Sequence, residues 1–171
     1  MKRFVTSNLQ LGRPAAIDIY DRPFKDVDEM TQHIINSWNS VVGKEDLVYH
    51  LGNFAWDPKT AQDAISQLNG QIWFIMGEHD APIAELWSKK MLPSNCKVER
   101  QIMPLELMQT TLSYWPLRDW PRRADGFWSV IGHPDKTYKS DPKQKVINVS
   151  TDLWKFKPQE LPKLLGIFKD L

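Results

Sequence analysis

Five short polar clusters hold most of the side chains capable of chemistry: Ser7-Asn8-Leu9-Gln10, Gly52-Asn53, Gly77-Glu78-His79-Asp80, Tyr114 and Gly132-His133-Pro134-Asp135. An imidazole with two carboxylates, His133 with Glu78 and Asp135, is a donor set suited to one divalent ion such as Mn²⁺, Mg²⁺ or Zn²⁺. The guanidinium of Arg13, just after the first cluster, suits a phosphate or carboxylate without any metal. It suits equally an ion pair with Glu78 or Asp135. A separate stretch, Trp115 to Arg123, mixes aromatic and basic residues. Trp120, Arg122 and Arg123 are its candidates for contact with a partner protein, because Trp and Arg dominate interface hot spots. The same mixture could stack and neutralise single-stranded nucleic acid.

The elements that must position these groups read as alternating strands and helices. Arg3 to Thr6 is a short strand; Met30, Ile34, Trp38 and Val41 recur at helical spacing, predicting an amphipathic helix over 28–42. Strands are predicted at 46–50 and 72–76, with a helix opened by Pro58 and closed by Asn69-Gly70 between them. A short helix near 82–90, strands near 97–102, 107–112, 127–131 and 145–149, and a closing helix over 158–169 complete the reading. Lys136 to Lys145 reads as a solvated turn. Each polar cluster directly follows a predicted strand. Loops beyond the carboxyl ends of strands build the ligand site in open α/β sheets, so one cleft assembled from five loops is expected.

The chain's 171 residues, 42% hydrophobic and 25% charged, predict a single folded domain over 1–171. No apolar run approaches the roughly 20 residues of a membrane-spanning helix, and Met1 to Thr6 leads into polar residues rather than a signal peptide's apolar stretch. One cysteine, Cys96, leaves no internal disulfide. The expected location is the cytoplasm. A net charge of +1 provides no bulk attraction for nucleic acid or an anionic membrane. Most of the eight tryptophans are expected in the core.

The five clusters resemble the five motifs of the calcineurin-like metallophosphoesterases: Asp-x-His, Gly-Asp, Gly-Asn-His-Asp/Glu, a lone His, and Gly-His-x-His. Arg22-Pro23-Phe24, Trp38-Asn39, Val48-Tyr49-His50-Leu51-Gly52, Leu68-Asn69-Gly70, Trp115-Pro116-Leu117-Arg118 and Asn148-Val149 with Asp152-Leu153-Trp154 resemble the framework of its small single-domain bacterial and phage branch. The resemblance implies an α/β fold with two packed mixed β-sheets flanked by helices. It assigns the metal-ligand positions to Asn8, Gln10, Asn53, Glu78, Tyr114, His133 and Asp135, and protonation of the leaving group to His79. Of those ligands only His133 has the family's residue type; Asn8 and Asn53 stand where aspartates belong, Gln10 and Tyr114 where histidines do.

Each change weakens a two-metal site. Two ions roughly 3.5–4 Å apart need anionic ligands between them, and a neutral asparagine amide cannot bridge as a carboxylate does. An amide is a weaker transition-metal ligand than imidazole, and a tyrosine must lose a proton with pKa near 10 to bind as an anion.

The expected function is therefore that of a catalytically degenerate phosphoesterase-like chain, a pseudoenzyme acting through a partner protein. The branch's occurrence in phages suggests, by analogy, a phage-encoded binder of a host factor in the host cytoplasm. No cofactor, membrane or nucleic-acid partner is expected. Two alternatives stay open: a divergent hydrolase of phosphoric esters using one metal at Glu78, His133 and Asp135, and a metal-free binder of a nucleotide or other anion through Arg13.

Overall fold

The computed structural model describes residues 1–135 and 137–171; Lys136, at the head of the turn expected over 136–145, lies outside the described residues. Strands β1 (Arg3–Thr6), β2 (Leu47–His50), β3 (Gln71–Phe74) and β4 (Cys96–Val98) form a sheet with β9 (Gln159–Glu160) in the order β4-β3-β2-β1-β9. The first four run parallel, and β9 pairs antiparallel with β1. A second sheet runs β5 (Ile102–Leu105), β6 (Thr110–Ser113), β7 (Trp128–Ile131), β8 (Val146–Asn148), with β5 antiparallel and the other three parallel. Both sheets are thus mixed, in an α/β arrangement.

Strand alternation divides the apolar residues between two cores. Phe4, Val48, Ile72 and Phe74 face helices α2 (Val27–Asn39), α3 (Pro58–Ile65) and α4 (Ala81–Ser88), which bring Met30, Ile34, Trp38, Ala61 and Ile83. Val5, Tyr49, Leu51 and Ile75 face the other way and meet Leu112, Val130 and Ile147 of the second sheet and Leu161, Leu164 and Leu165 of α5 (Leu161–Lys169). Two helices, α2 and α3, start at a capping aspartate. Asp26 accepts the Glu29 N–H at 2.8 Å, while Pro58 at the first turn of α3 follows Asp57, which accepts the Thr60 N–H at 2.9 Å.

Two expectations change. The strand predicted over 97–102 is two strands in different sheets, β4 and β5, because residues 99–101 carry the chain across from one sheet to the other. A short helix α1 (Ala15–Ile19), where no element was expected, buries Ala16. Of the eight tryptophans, Trp56, Trp87 and Trp115 are exposed and the other five are buried or half-buried.

His50, at the end of β2, is fully buried with its ring edge-on to Phe54, and neither ring nitrogen has a hydrogen-bond partner. Burial lowers its pKa to about 3. Between that value and the ordinary 6.5 the unfolded chain binds a proton that the folded chain refuses. Stability is therefore full above pH 6.5 and is lost as pH falls toward 3, at about 1.4 kcal/mol per unit. Urea unfolding at pH 6.5 and 5.0 should differ by about 2 kcal/mol from this group, and His50→Leu should flatten the slope by that amount. An unchanged slope in the variant would count against a neutral buried imidazole.

Candidate functional site

The carboxyl ends of β1, β2, β3, β6 and β7 converge, bringing all five polar clusters together. Glycines permit the approach. A Cβ on Gly52, whose φ is 89°, would lie 2.7 Å from Gly77 Cα and 2.5 Å from Tyr114 Cδ2, and one on Gly132 would lie 2.1 Å from the Leu51 carbonyl oxygen. No side chain fits there.

At the meeting point Asn8, Gln10, Asn53 and Tyr114 are each at most 1% exposed and bond to one another. Gln10 Nε2 donates to Asn8 Oδ1 at 2.9 Å; Asn53 Nδ2 donates to the Tyr114 hydroxyl at 3.0 Å and reaches Asn8 Oδ1 at 3.5 Å. Asn53 Oδ1 accepts the His79 backbone N–H at 3.0 Å. Outward, Asn8 Nδ2 donates to Asp152 at 3.0 Å and Arg13 Nη1 donates to Gln10 Oε1 at 3.2 Å. Each amide thus has a donor group matched to an acceptor and an oxygen matched to a donor. Burial raises the Tyr114 hydroxyl well above the ordinary tyrosine pKa, so it stays a neutral phenol. The result is a buried cluster of neutral side chains whose outer hydrogen bonds are completed by Asp152, Arg13 and the His79 backbone.

Asn8, Gln10 and Asn53 all adopt left-handed backbone, with φ of 57°, 56° and 62°. Asparagine visits this region more readily than most residues. Gln10 does not, and is held there by its N–H to the Asn53 carbonyl at 3.0 Å and by its side chain.

Two positioning residues lie beneath. Asp80 is 3% exposed, and its carboxylate accepts the N–H groups of Asn53, Phe54 and Gly77 at 2.7–2.8 Å, tying the second cluster to the third. Burial raises its pKa against the pull of those three donors. Arg22, 4% exposed, forks onto Asp152 at 2.8 and 3.0 Å and donates to the carbonyls of Leu9 and Asn8 at 2.8 and 2.7 Å. Reading the sequence assigned neither role. Arg22 and Asp152 belong to framework motifs whose partnership, 130 residues apart, leaves no local signal.

The remaining candidates ring the mouth. Arg13 makes no ion pair with Glu78, Asp135 or any other described residue, contrary to the pairing considered above. Its guanidinium instead stacks over Trp56, 4.3 Å from the ring centroid, and its Nε is buried without a partner. Trp56 is 47% exposed and meets the half-buried His79 ring at 5.9 Å. Glu78 is exposed. Opposite, the half-buried His133 ring packs at 5.2–5.4 Å against Tyr114, Trp115 and Tyr138. Burial pushes its pKa down, with Asp135 and Glu78 opposing. Asp135 points back to its own turn, accepting the Thr137 N–H at 2.8 Å, and its pKa is lowered by that bond.

Of the three candidates in the 115–123 stretch, Trp120 is buried while Arg122 and Arg123 stay at the surface. Trp120 is 6% exposed and donates to the Phe127 carbonyl at 2.9 Å, so its indole is core. Arg122 is committed to Glu106 and Asp125, and Arg123 lies over Trp120 with Asp119 at 3.6 Å. Trp56, Trp115 and Tyr138 are exposed aromatics beside the cleft, and no pattern in one sequence separates an exposed tryptophan from a buried one.

The residues present do not fit two divalent ions. The inner positions supply amides and a neutral phenol whose lone pairs and N–H groups already face one another, and a cation would break those bonds without gaining a carboxylate. Among the described residues no three His, Cys, Asp or Glu side chains gather to hold an ion, so Glu78, His133 and Asp135 share the rim without forming the single-ion group considered above.

Comparison with known proteins adds relatives without assigned activities. No protein-family model matches the chain. An uncharacterized protein of Methanocaldococcus jannaschii is 27% identical over 176 residues, spanning 98% of this chain and 92% of its own. The gene 66 protein of Mycobacterium phage L5 is 33% identical over 81 residues, 45% of this chain and 39% of its own length. The crystal structure of a protein of unknown function from Aquifex aeolicus superposes with a TM-score of 0.71 at 18% identity, covering 97% of this chain and 98% of that one. That likeness bears on the fold alone.

Proposed function

We propose that this chain is a metallophosphoesterase-like protein whose metal centre has become a structural amide–phenol network, and that it works by binding a partner protein rather than by cleaving phosphoric esters. The observation carrying this reading is the buried set of hydrogen bonds that links Asn8, Gln10, Asn53 and Tyr114. Stability and catalysis depend on different residues. Here the strand-end loops are held by neutral bonds where the resemblance would have ions hold them. The rim offers Arg13, Trp56 and Trp115, the residue types that anchor interfaces. Arg13, without a carboxylate of its own, suits an acidic group on the partner. The phage protein is similar over 45% of the chain and the archaeal protein over 98%, so similarity favours neither source.

The test is metal content beside turnover. Protein stripped with chelator and dialysed against Mn²⁺ or Zn²⁺ should carry background metal and leave bis-p-nitrophenyl phosphate intact. Stoichiometric metal, with hydrolysis lost in His79→Ala, would overturn the proposal.

A further inference from the structure

A groove of about 640 Å³ lies on the outer face of the second sheet, sharing Tyr138, which packs on His133, with the rim of the cleft. Its floor is the face of β7 and β8 that points away from the inter-sheet core, carrying Ser129 and Ile131, each 1% exposed, and the half-buried Val146. Its walls are the segment after β6, with Leu117 and Arg118, and the segment before β8, with Lys139.

Both walls are pinned. Thr111 Oγ1 donates to the Pro121 carbonyl at 2.7 Å, fixing the first. Asn148 Nδ2 donates to the carbonyls of His133 and Tyr138 at 2.9 and 2.7 Å, fixing the second. The groove is therefore preformed and of the size that takes small molecules.

Its chemistry is asymmetric. Arg118 and Lys139 are exposed, and neither guanidinium nor ammonium pairs with a described residue. Asp141, the carboxylate lining the groove, is occupied in capping the turn at Lys143 and Gln144. On the floor Ser129 is 1% exposed, and its Oγ has no hydrogen-bond partner. Two unneutralised cations, an unsatisfied hydroxyl and an apolar floor complement one kind of ligand.

We infer that this groove binds a small organic anion, its carboxylate or phosphate group between Arg118 and Lys139 and its apolar body over Leu117, Ile131 and Val146 near the Ser129 hydroxyl. The inference does not rest on the proposed function, because none of Leu117, Arg118, Ser129, Ile131, Lys139 and Val146 belongs to the amide–phenol network.

Titration with phenyl phosphate and with benzoate, followed by amide shifts in ¹⁵N-labelled protein, tests it. Saturable shifts at Ser129, Ile131 and Val146 are expected from at least one of the two anions, with phenol itself giving none. The double variant Arg118→Ala/Lys139→Ala alters only exposed side chains and should weaken binding at least about tenfold. Ser129→Ala should weaken it by a smaller factor. No saturable shift from either anion, equal affinity in the double variant, or equal binding of phenol would each overturn the inference.

Discussion

Asn53→Asp is expected to lower folding stability by about 2–4 kcal/mol without bringing phosphoesterase turnover. The substitution restores the residue that the resemblance places at the bridging position, so a latent metal site would gain from it. A buried amide network loses. Asn53 is 1% exposed, and its Nδ2 faces the Tyr114 hydroxyl at 3.0 Å and Asn8 Oδ1 at 3.5 Å. An ionised carboxylate there would meet the Asn8 oxygen as acceptor against acceptor, a conflict relieved only by taking up a proton at neutral pH. Its charge also lies near the buried Asp80 carboxylate, which holds the Asn53 N–H at 2.8 Å. Such a carboxyl is held protonated by burial and like charge. Its folded pKa rises above the unfolded value, so the deficit against the parent is largest at neutral pH and shrinks as pH falls toward the ordinary carboxylate range. Urea unfolding of both proteins at pH 7 and pH 5 measures this. A variant as stable as the parent that takes up Mn²⁺ stoichiometrically would contradict the network reading.

Arg22→Ala is expected to cost about 3–5 kcal/mol, a fall in Tm of roughly 6–20 °C for a chain of this size. The Arg22 side chain is 0% exposed against 20% for Asp152, so water can replace the lost partner only in part. Removing the guanidinium strands the Asp152 carboxylate and the carbonyls of Asn8 and Leu9 together. Arg22→Lys should recover part of the loss, because an ammonium restores the charge without the two-pronged fork. Thermal melts of the three proteins decide. A loss below about 1 kcal/mol in the alanine variant would mean that the pair behaves as a surface ion pair and does not set the first polar loop.

Much of the fold was legible from pattern because local physics dictates it. The 3.6-residue recurrence through Met30, Ile34 and Trp38 predicted α2, and all three residues are buried. Pro58 marked the start of α3, and the apolar runs of β2, β3 and β7 fell where expected. The crossing at 99–101 did not, because strand propensity says nothing about which sheet a strand joins.

The same division runs through the site. Sequence alone determined which positions carry the polar groups, that each follows a strand, and that an amide or phenol occupies most places where the resemblance would have a charged or metal-binding group. Tertiary structure decided what those groups do. The pairing of Arg22 with Asp152, the capping of two loops by Asp80, and the exposure of Trp56 and Trp115 beside a buried Trp120 depend on contacts between distant segments. Hydrogen bonds and burial are properties of neighbours in space, and the chain records its neighbours only along its own length.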